Sequence, residues 1–208
     1  TKKNKQLGYN GSINLGYGQG RYHKLNESVN FNYRKNKVNV FANVGYSNRK
    51  SFQDLNIQRK FIEKSTKELK SHFDQESKIR ESSESINAKL GLDYYASKKT
   101  TFGVVFNRFN NPGTFSNRSD VLISDPNRVL NSITRAGTTN ERTWKNFGTN
   151  LNFRHVFDST GKEITADVDY LTYKSTNTQD LINSYYGPTG IPTFTPDTLL
   201  GALPQDIN

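Results

Sequence analysis

The sequence predicts an all-β protein, and more narrowly an antiparallel up-and-down transmembrane β-barrel of which about seven consecutive strands are present. Three observations carry that expectation. Apolar and polar residues alternate with period two over stretches of ten or more residues; short and long connections succeed one another; and rings are abundant in a chain otherwise poor in apolar residues. Only 32% of the 208 residues are hydrophobic, yet 11 are Tyr and 13 are Phe. Disordered chains are depleted in aromatics, so something must cover these rings. Strands of globular proteins are usually about 5–6 residues long, whereas a barrel strand crossing a bilayer needs about 9–11.

Residues 7–17 set Leu7, Tyr9, Ile13, Leu15 and Tyr17 against Asn10, Ser12 and Asn14, the alternation of a strand with one apolar face. The pattern returns over 25–34, where Leu25, Val29, Phe31 and Tyr33 oppose Asn26, Asn30, Asn32 and Arg34. It returns again over 38–47, where Val38, Val40, Ala42, Val44 and Tyr46 oppose Asn39, Asn43 and Ser47. Only Lys35-Asn36-Lys37 separates these two, which makes a hairpin. A second hairpin joins 86–96 (Ile86, Ala88, Leu90, Leu92 and Tyr94 against Asn87, Lys89 and Asp93) to 100–109 (Phe102, Val104, Phe106) through Ser97-Lys98-Lys99. A third joins 146–157 (Phe147, Leu151, Phe153, Phe157 against Asn146, Asn150, Asn152, Arg154) to 163–175 (Ile164, Ala166, Val168, Tyr170 against Asp167 and Asp169).

The connections 35–37, 97–99 and 158–162 are short, while 48–85 and 110–145 are long. In an outer-membrane barrel the short turns lie in the periplasm and the long loops outside, so the first strand is expected to run outward and residue 1 to lie in the periplasm. Within 48–85, the stretch 61–70 is compatible with a short helix, but strand extensions joined by a turn are the expectation. The tail 187–208, with Pro188, Pro192, Pro196 and Pro204 among Gly and Thr, is read as an extracellular loop following a barrel segment that spans 1–186. With its Thr1-Lys2-Lys3 start, the chain reads as a processed chain or a fragment.

Alternation alone does not choose between a soluble β-sandwich and a membrane barrel, since both separate apolar from polar faces. Strand length favours the barrel. So does the spacing of Tyr9 and Tyr17, which at about 3.3 Å per residue and a tilt near 40° lie roughly 20 Å apart along a membrane normal, as two aromatic girdles would. The polar parity is rich in Asn, Ser and Thr, which suits a wet lumen. On this reading Tyr9, Ile13, Leu15, Tyr17, Phe31, Tyr33, Val40, Val44, Leu90, Leu92, Val104, Phe106, Leu151, Phe153, Val168 and Tyr170 face lipid. Asn14, Asn30, Asn32, Arg34, Lys89, Asp93, Arg154, Asp167 and Asp169 face the lumen. The charged or titratable departures Glu27, Arg108 and His155 fall near strand ends, where the headgroup region makes a charge less costly. Phe52, Arg59, Phe61, Phe115 and Arg118, in the two long connections, are candidates to bind a ligand from outside.

Little in the sequence supports catalysis. There is no Cys, and His23, His72 and His155 lack metal-ligand spacing, so neither a metal nor a cofactor is expected. Gly16-x-Gly18-x-Gly20 is not set between a strand and a helix and lacks the Lys of a phosphate-binding loop. Asp167 and Asp169 share a face and more often line water than act as paired acids. The net charge of +10 invites a nucleic-acid reading, but the rings keep to the apolar parity and the basic residues gather in turns and loops, so no nucleic acid is expected.

The runs Gly8-Tyr9-Asn10-Gly11-Ser12-Ile13-Asn14-Leu15-Gly16-Tyr17-Gly18-Gln19-Gly20, Val29-Asn30-Phe31-Asn32-Tyr33-Arg34 and Gly45-Tyr46-Ser47-Asn48-Arg49 resemble the barrel of the outer-membrane β-barrel family found in TonB-dependent receptors of Bacteroidetes. Lys89-Leu90-Gly91-Leu92-Asp93-Tyr94-Tyr95, Asn150-Leu151-Asn152-Phe153-Arg154-His155 and Ala166-Asp167-Val168-Asp169-Tyr170 extend the resemblance over nearly the whole chain. It implies a bacterial outer-membrane location and a long protein with a plug domain inside a 22-stranded barrel, importing a nutrient or metal chelate with energy delivered by TonB. The implied partners are outer-membrane lipid, the rest of the barrel, the plug, TonB and a surface lipoprotein. The competing class is a soluble or surface-attached all-β binding module of adhesin type.

Overall fold

The computed structural model describes residues 8–158 and 161–207. They form one antiparallel sheet of eight strands in which every strand pairs with its sequence neighbours: β1 (Gly8–Gln19), β2 (His23–Lys35), β3 (Val38–Ile62), β4 (Leu69–Tyr94), β5 (Thr100–Ser124), β6 (Leu130–Val156), β7 (Glu163–Tyr186) and β8 (Asp197–Ile207). The all-β, up-and-down expectation therefore holds. The sheet is open, with β1 at one edge and β8 at the other.

Two sequence expectations need correction, on 110–145 and on the tail with the strand count, while that for 48–85 is met. Residues 110–145 are not a long excursion. They are the outer halves of β5 and β6, joined by a tight turn in which Asp125 Oδ1 accepts the backbone N–H groups of Asn127 (2.9 Å) and Val129 (2.8 Å). Such self-bonding is the usual use of Asp in a turn. In 48–85 the strand extensions are present, and the turn at 63–68 replaces the helical alternative; its backbone closes through Glu63 N–H to Glu68 C=O at 2.8 Å. The count rises from seven to eight because much of the tail is a strand. Residues 197–207 pair with β7 from Asn183 back to Tyr173, and Pro204, which has no N–H to donate, is accommodated on an edge strand. The chain returns through a loop in which Gly190 takes a positive φ of 80° and the Tyr185 hydroxyl donates to Asp197 at 2.8 Å.

One other proline and one turn also fit their residue types. Pro112 lies inside β5, where the ladder to β4 is interrupted between the Ser83–Gly113 and Ile86–Asn110 pairs, so its missing donor breaks no continuous run. Asn36, in the two-residue turn between β2 and β3, has a φ of 51°, a conformation that Asn tolerates better than most residues.

No hydrophobic side chain is buried among the described residues. The accessible surface is 14984 Å², whereas a folded monomer of 23.7 kDa would expose roughly 9,800 Å². A single-layer sheet cannot cover either of its own faces, and its stability must come from whatever covers them. The 208-residue chain alone is therefore expected to aggregate when made without detergent, since both edge strands offer unpaired backbone groups. Size-exclusion chromatography checks this; a monomeric detergent-free preparation with dispersed amide resonances would contradict it.

Candidate functional site

Register fixes which side chains share a face. The row of directly opposite residues through Tyr9 and Tyr33 continues through Val40, Leu92, Val104 and Leu151 to Val168. Applied to every row, the pairing puts each residue expected to face lipid on one side of the sheet, and Asn14, Asn30, Asn32, Arg34, Lys89, Asp93, Arg154, Asp167 and Asp169 on the other. The apolar side chains stand in the open: Ile13 is 70% exposed and Leu90 51%. Phe102 and Phe153 meet across β5 and β6 at 5.1 Å between centroids, at the edge of an apolar hollow of about 400 Å³ whose lining includes Leu92, Val104, Leu151 and Val168.

The apolar residues make a band, and the band is oblique to the ladder. On β1 it runs from Tyr9 to Tyr17 and on β2 from Leu25 to Tyr33, but the row through Tyr17 and Leu25 meets Asn48 on β3 and Glu84 on β4. On β3 and β4 the band instead starts one row lower, at Val38 and Tyr94, and on β7 it occupies Ile164 to Tyr170. Its midpoint drifts by about five residues across the six strand steps from β1 to β7. At about 3.3 Å per residue and 4.8 Å per strand, that is an inclination of roughly 30°. Measured perpendicular to itself, the Val38–Tyr46 run is then about 23 Å tall. Rings mark both margins: Tyr9, Tyr33, Tyr94, Phe102 and Phe153 below, Tyr17, Tyr46, Phe106, Phe147 and Tyr170 above.

The opposite face, level with the band, is an amide and hydroxyl network. Asn14 donates to Ser28 Oγ at 3.2 Å, Asn30 donates to Ser12 Oγ at 3.1 Å, and Asn43 donates to Asn30. Asn39 donates to Asp93 at 3.3 Å and Asn150 to Asp169 at 2.9 Å, while the Arg34 guanidinium lies 4.3 Å from the Tyr95 ring centre. Between the end of β6 and the start of β7, Arg154 Nε donates to Glu163 at 3.0 Å. Asp167 and Asp169 thus sit within a hydrogen-bonded wall and lie opposite Asn152 and Asn150.

Beyond the band the two faces exchange character. On β3, apolar residues occupy even positions from Val38 to Tyr46, then odd positions at Leu55, Ile57 and Phe61. Ile79, Phe109, Phe115, Trp144, Tyr173 and Leu181 lie on the same side as these, and Trp144 packs edge-on against Tyr173 at 5.0 Å. Arg142 donates to Glu81 at 2.7 Å beside them. These rings were not anticipated as a wall; the only signal was that Trp144 is the single tryptophan, placed within a stretch read as loop.

The five outer candidates do not form one site. Arg59, Phe61 and Phe115 are on the newly apolar side, where Arg59 lies 5.8 Å from the Phe73 ring centre and Phe61 meets Phe73 edge-on at 6.2 Å. Phe52 and Arg118 are on the other side. Phe52 is covered by Arg21 at 4.5 Å and Arg80 at 5.6 Å, and both arginines bond Asp54, at 3.1 and 2.8 Å. The Arg80 hydrogen bond, with Arg21 adding to it, holds the Asp54 carboxyl below its ordinary value of 3.8. Because the paired state has the lower pKa, this tie between the β1–β2 turn and β3 is fully present above the ordinary value and is lost only as the pH falls through the depressed one. Arg118 lies opposite Lys78 and Gly137.

Among the described residues no three of His, Asp or Glu are grouped closely enough to hold a metal ion. No known protein family model matches the chain, and no curated protein matches it.

Proposed function

We propose that the chain is a stretch of the wall of an outer-membrane receptor barrel of the TonB-dependent type, which takes up a nutrient or metal chelate. The observation that carries the membrane reading is the oblique, uncovered apolar band. Its roughly 30° inclination is near the 35–45° strand tilt of outer-membrane barrels, and its height of about 23 Å is near their apolar belt of about 25 Å. A horizontal slab of hydrocarbon crossing tilted strands leaves such a drift in register, because each strand meets the slab lower along its own ladder than the last. The amide-rich opposite face suits a wet interior. The outer extensions, where rings and arginines turn to that interior, suit the mouth at which a solute is recognised. The sequence resemblance supports the TonB-dependent type, and with it a plug, TonB and a surface lipoprotein as partners.

Fractionation of cells producing the full-length gene product tests this. The product is expected in outer membranes and to resist extraction by urea, and to cross-link to TonB in energised cells. Recovery as a soluble or urea-extractable protein would overturn the membrane reading and favour a surface-attached binding module; membrane recovery without TonB contact would overturn only the energised-transport part.

A further inference from the structure

We propose that Arg108, Lys145 and Lys174 form a seat for the phosphate of a lipid headgroup at the upper margin of the apolar band, an inference that rests on the membrane reading above. On β5, β6 and β7 the band ends at Phe106, Phe147 and Tyr170, and the next charged residues outward on the same face are these three. They stand on consecutive strands: Arg108 is opposite Phe147, and Lys145 is directly opposite Lys174. Like charges facing each other across a ladder repel at about 5 Å between Cβ atoms, so the pair calls for an anion.

The chain supplies only part of one. Lys174 Nζ is 3.4 Å from Asp206, in a pair whose side chains are 64% and 59% exposed, and such exposed pairs contribute little. Neither Arg108 nor Lys145 has an ion-pair partner among the described residues. Two other arginines on this face do have carboxylates: Arg80 has Asp54 and Arg135 has Asp120. A phosphate monoester brings up to two negative charges and three acceptor oxygens, enough to meet cations from three strands at once. Long basic side chains lay their stems along apolar surface and lift the charge toward the interface, which is what a position just above Phe106, Phe147 and Tyr170 demands. Lys78 and Arg118 make a second facing pair, but Arg118 is ten residues beyond Arg108 on β5, about 30 Å along the strand and well past a headgroup layer.

The test uses the full-length protein in lipid nanodiscs with native mass spectrometry, comparing bisphosphorylated lipid A with its dephosphorylated form. Wild type is expected to retain the phosphorylated lipid, and the triple variant R108Q/K145Q/K174Q to retain about tenfold less, as loss of charge-assisted bonds would give. The control variant K78Q/R118Q is expected to match wild type. Equal retention of both lipids by wild type, or unchanged retention by the triple variant, would overturn the proposal. So would complete displacement by millimolar inorganic phosphate, which would make the seat one for a soluble anion. Failure of the membrane reading is distinguishable: photoactivatable acyl chains would then leave Val40 and Val44 unlabelled in wild type.

Discussion

If the proposed membrane reading is right, arginine in place of Leu90 is expected to lower the stability of the full-length protein in bilayers by about 2–4 kcal/mol, the cost of a cation on a lipid face near the midplane. Leu90 is the test position because it sits at the middle of the band on β4, two rows from either margin, between Ala42 and Phe106 on its neighbours. The adjacent residue gives the contrast: Lys89 points to the opposite face, between Asn43 and Asn107, and carries a cation there already. Asn43→Arg should therefore cost well under 1 kcal/mol if that face is wet. Denaturant titrations in vesicles would read both. A soluble sandwich would also lose stability at Leu90, since a core would receive an unpaired charge, but it would give no graded recovery along the strand. In the proposed barrel, the same substitution at Ile86, at the band's margin, is expected to cost less than at Leu90.

Gly91→Ala is expected to destabilise by about 1–3 kcal/mol, an overpacking penalty that the flanking polar residues would not suggest. Gly91 and Phe41 are directly opposite on β4 and β3, and a methyl group on Gly91 would overlap the Phe41 ring. The ring lies across the space that the missing side chain leaves, so an aromatic residue on the polar face is half-covered by its partner strand. Two further glycines repeat the device with amides: a Cβ at Gly45 would meet the Asn87 side chain, and one at Gly103 that of Asn152, each at 2.5 Å. Removing the ring should relieve the clash. The double variant G91A/F41A is expected to be less destabilised than the sum of its singles by about 0.5–3 kcal/mol; additive effects would mean that the ring is not held there.

What was legible in the sequence is what period two encodes. Val38 to Tyr46, Ile86 to Tyr94 and Ile164 to Tyr170 keep one parity throughout, so strand, face and register could be read together. Beyond Tyr46 the reading failed for a physical reason. The environment changes sides, apolar residues move from even to odd positions at Leu55, and a parity switch looks the same as the end of a strand. Thus the outer halves of β5 and β6 looked like loop, and Trp144 and Tyr173 were not seen as a wall. The strand β8 was hidden by Pro196 and Pro204, which argue against a central strand but not against an edge. The outer candidates Phe52 and Arg59 were chosen by residue type, and seven residues of strand put them on opposite faces.

The central claim is that one face of the band meets hydrocarbon, and a nitroxide scan along β3 tests it most directly. Single cysteines at 38 through 62 of the full-length protein in bilayers would be spin-labelled and their exposure to oxygen compared with that to a water-soluble relaxant. High oxygen exposure is expected at 38, 40, 42, 44 and 46, with low values at the odd positions between them. Beyond 48 the water-soluble relaxant should dominate at even positions, where the strand has left the band. Equal exposure at 43 and 44, or alternation that continues unchanged to 62, would contradict the lipid-facing band.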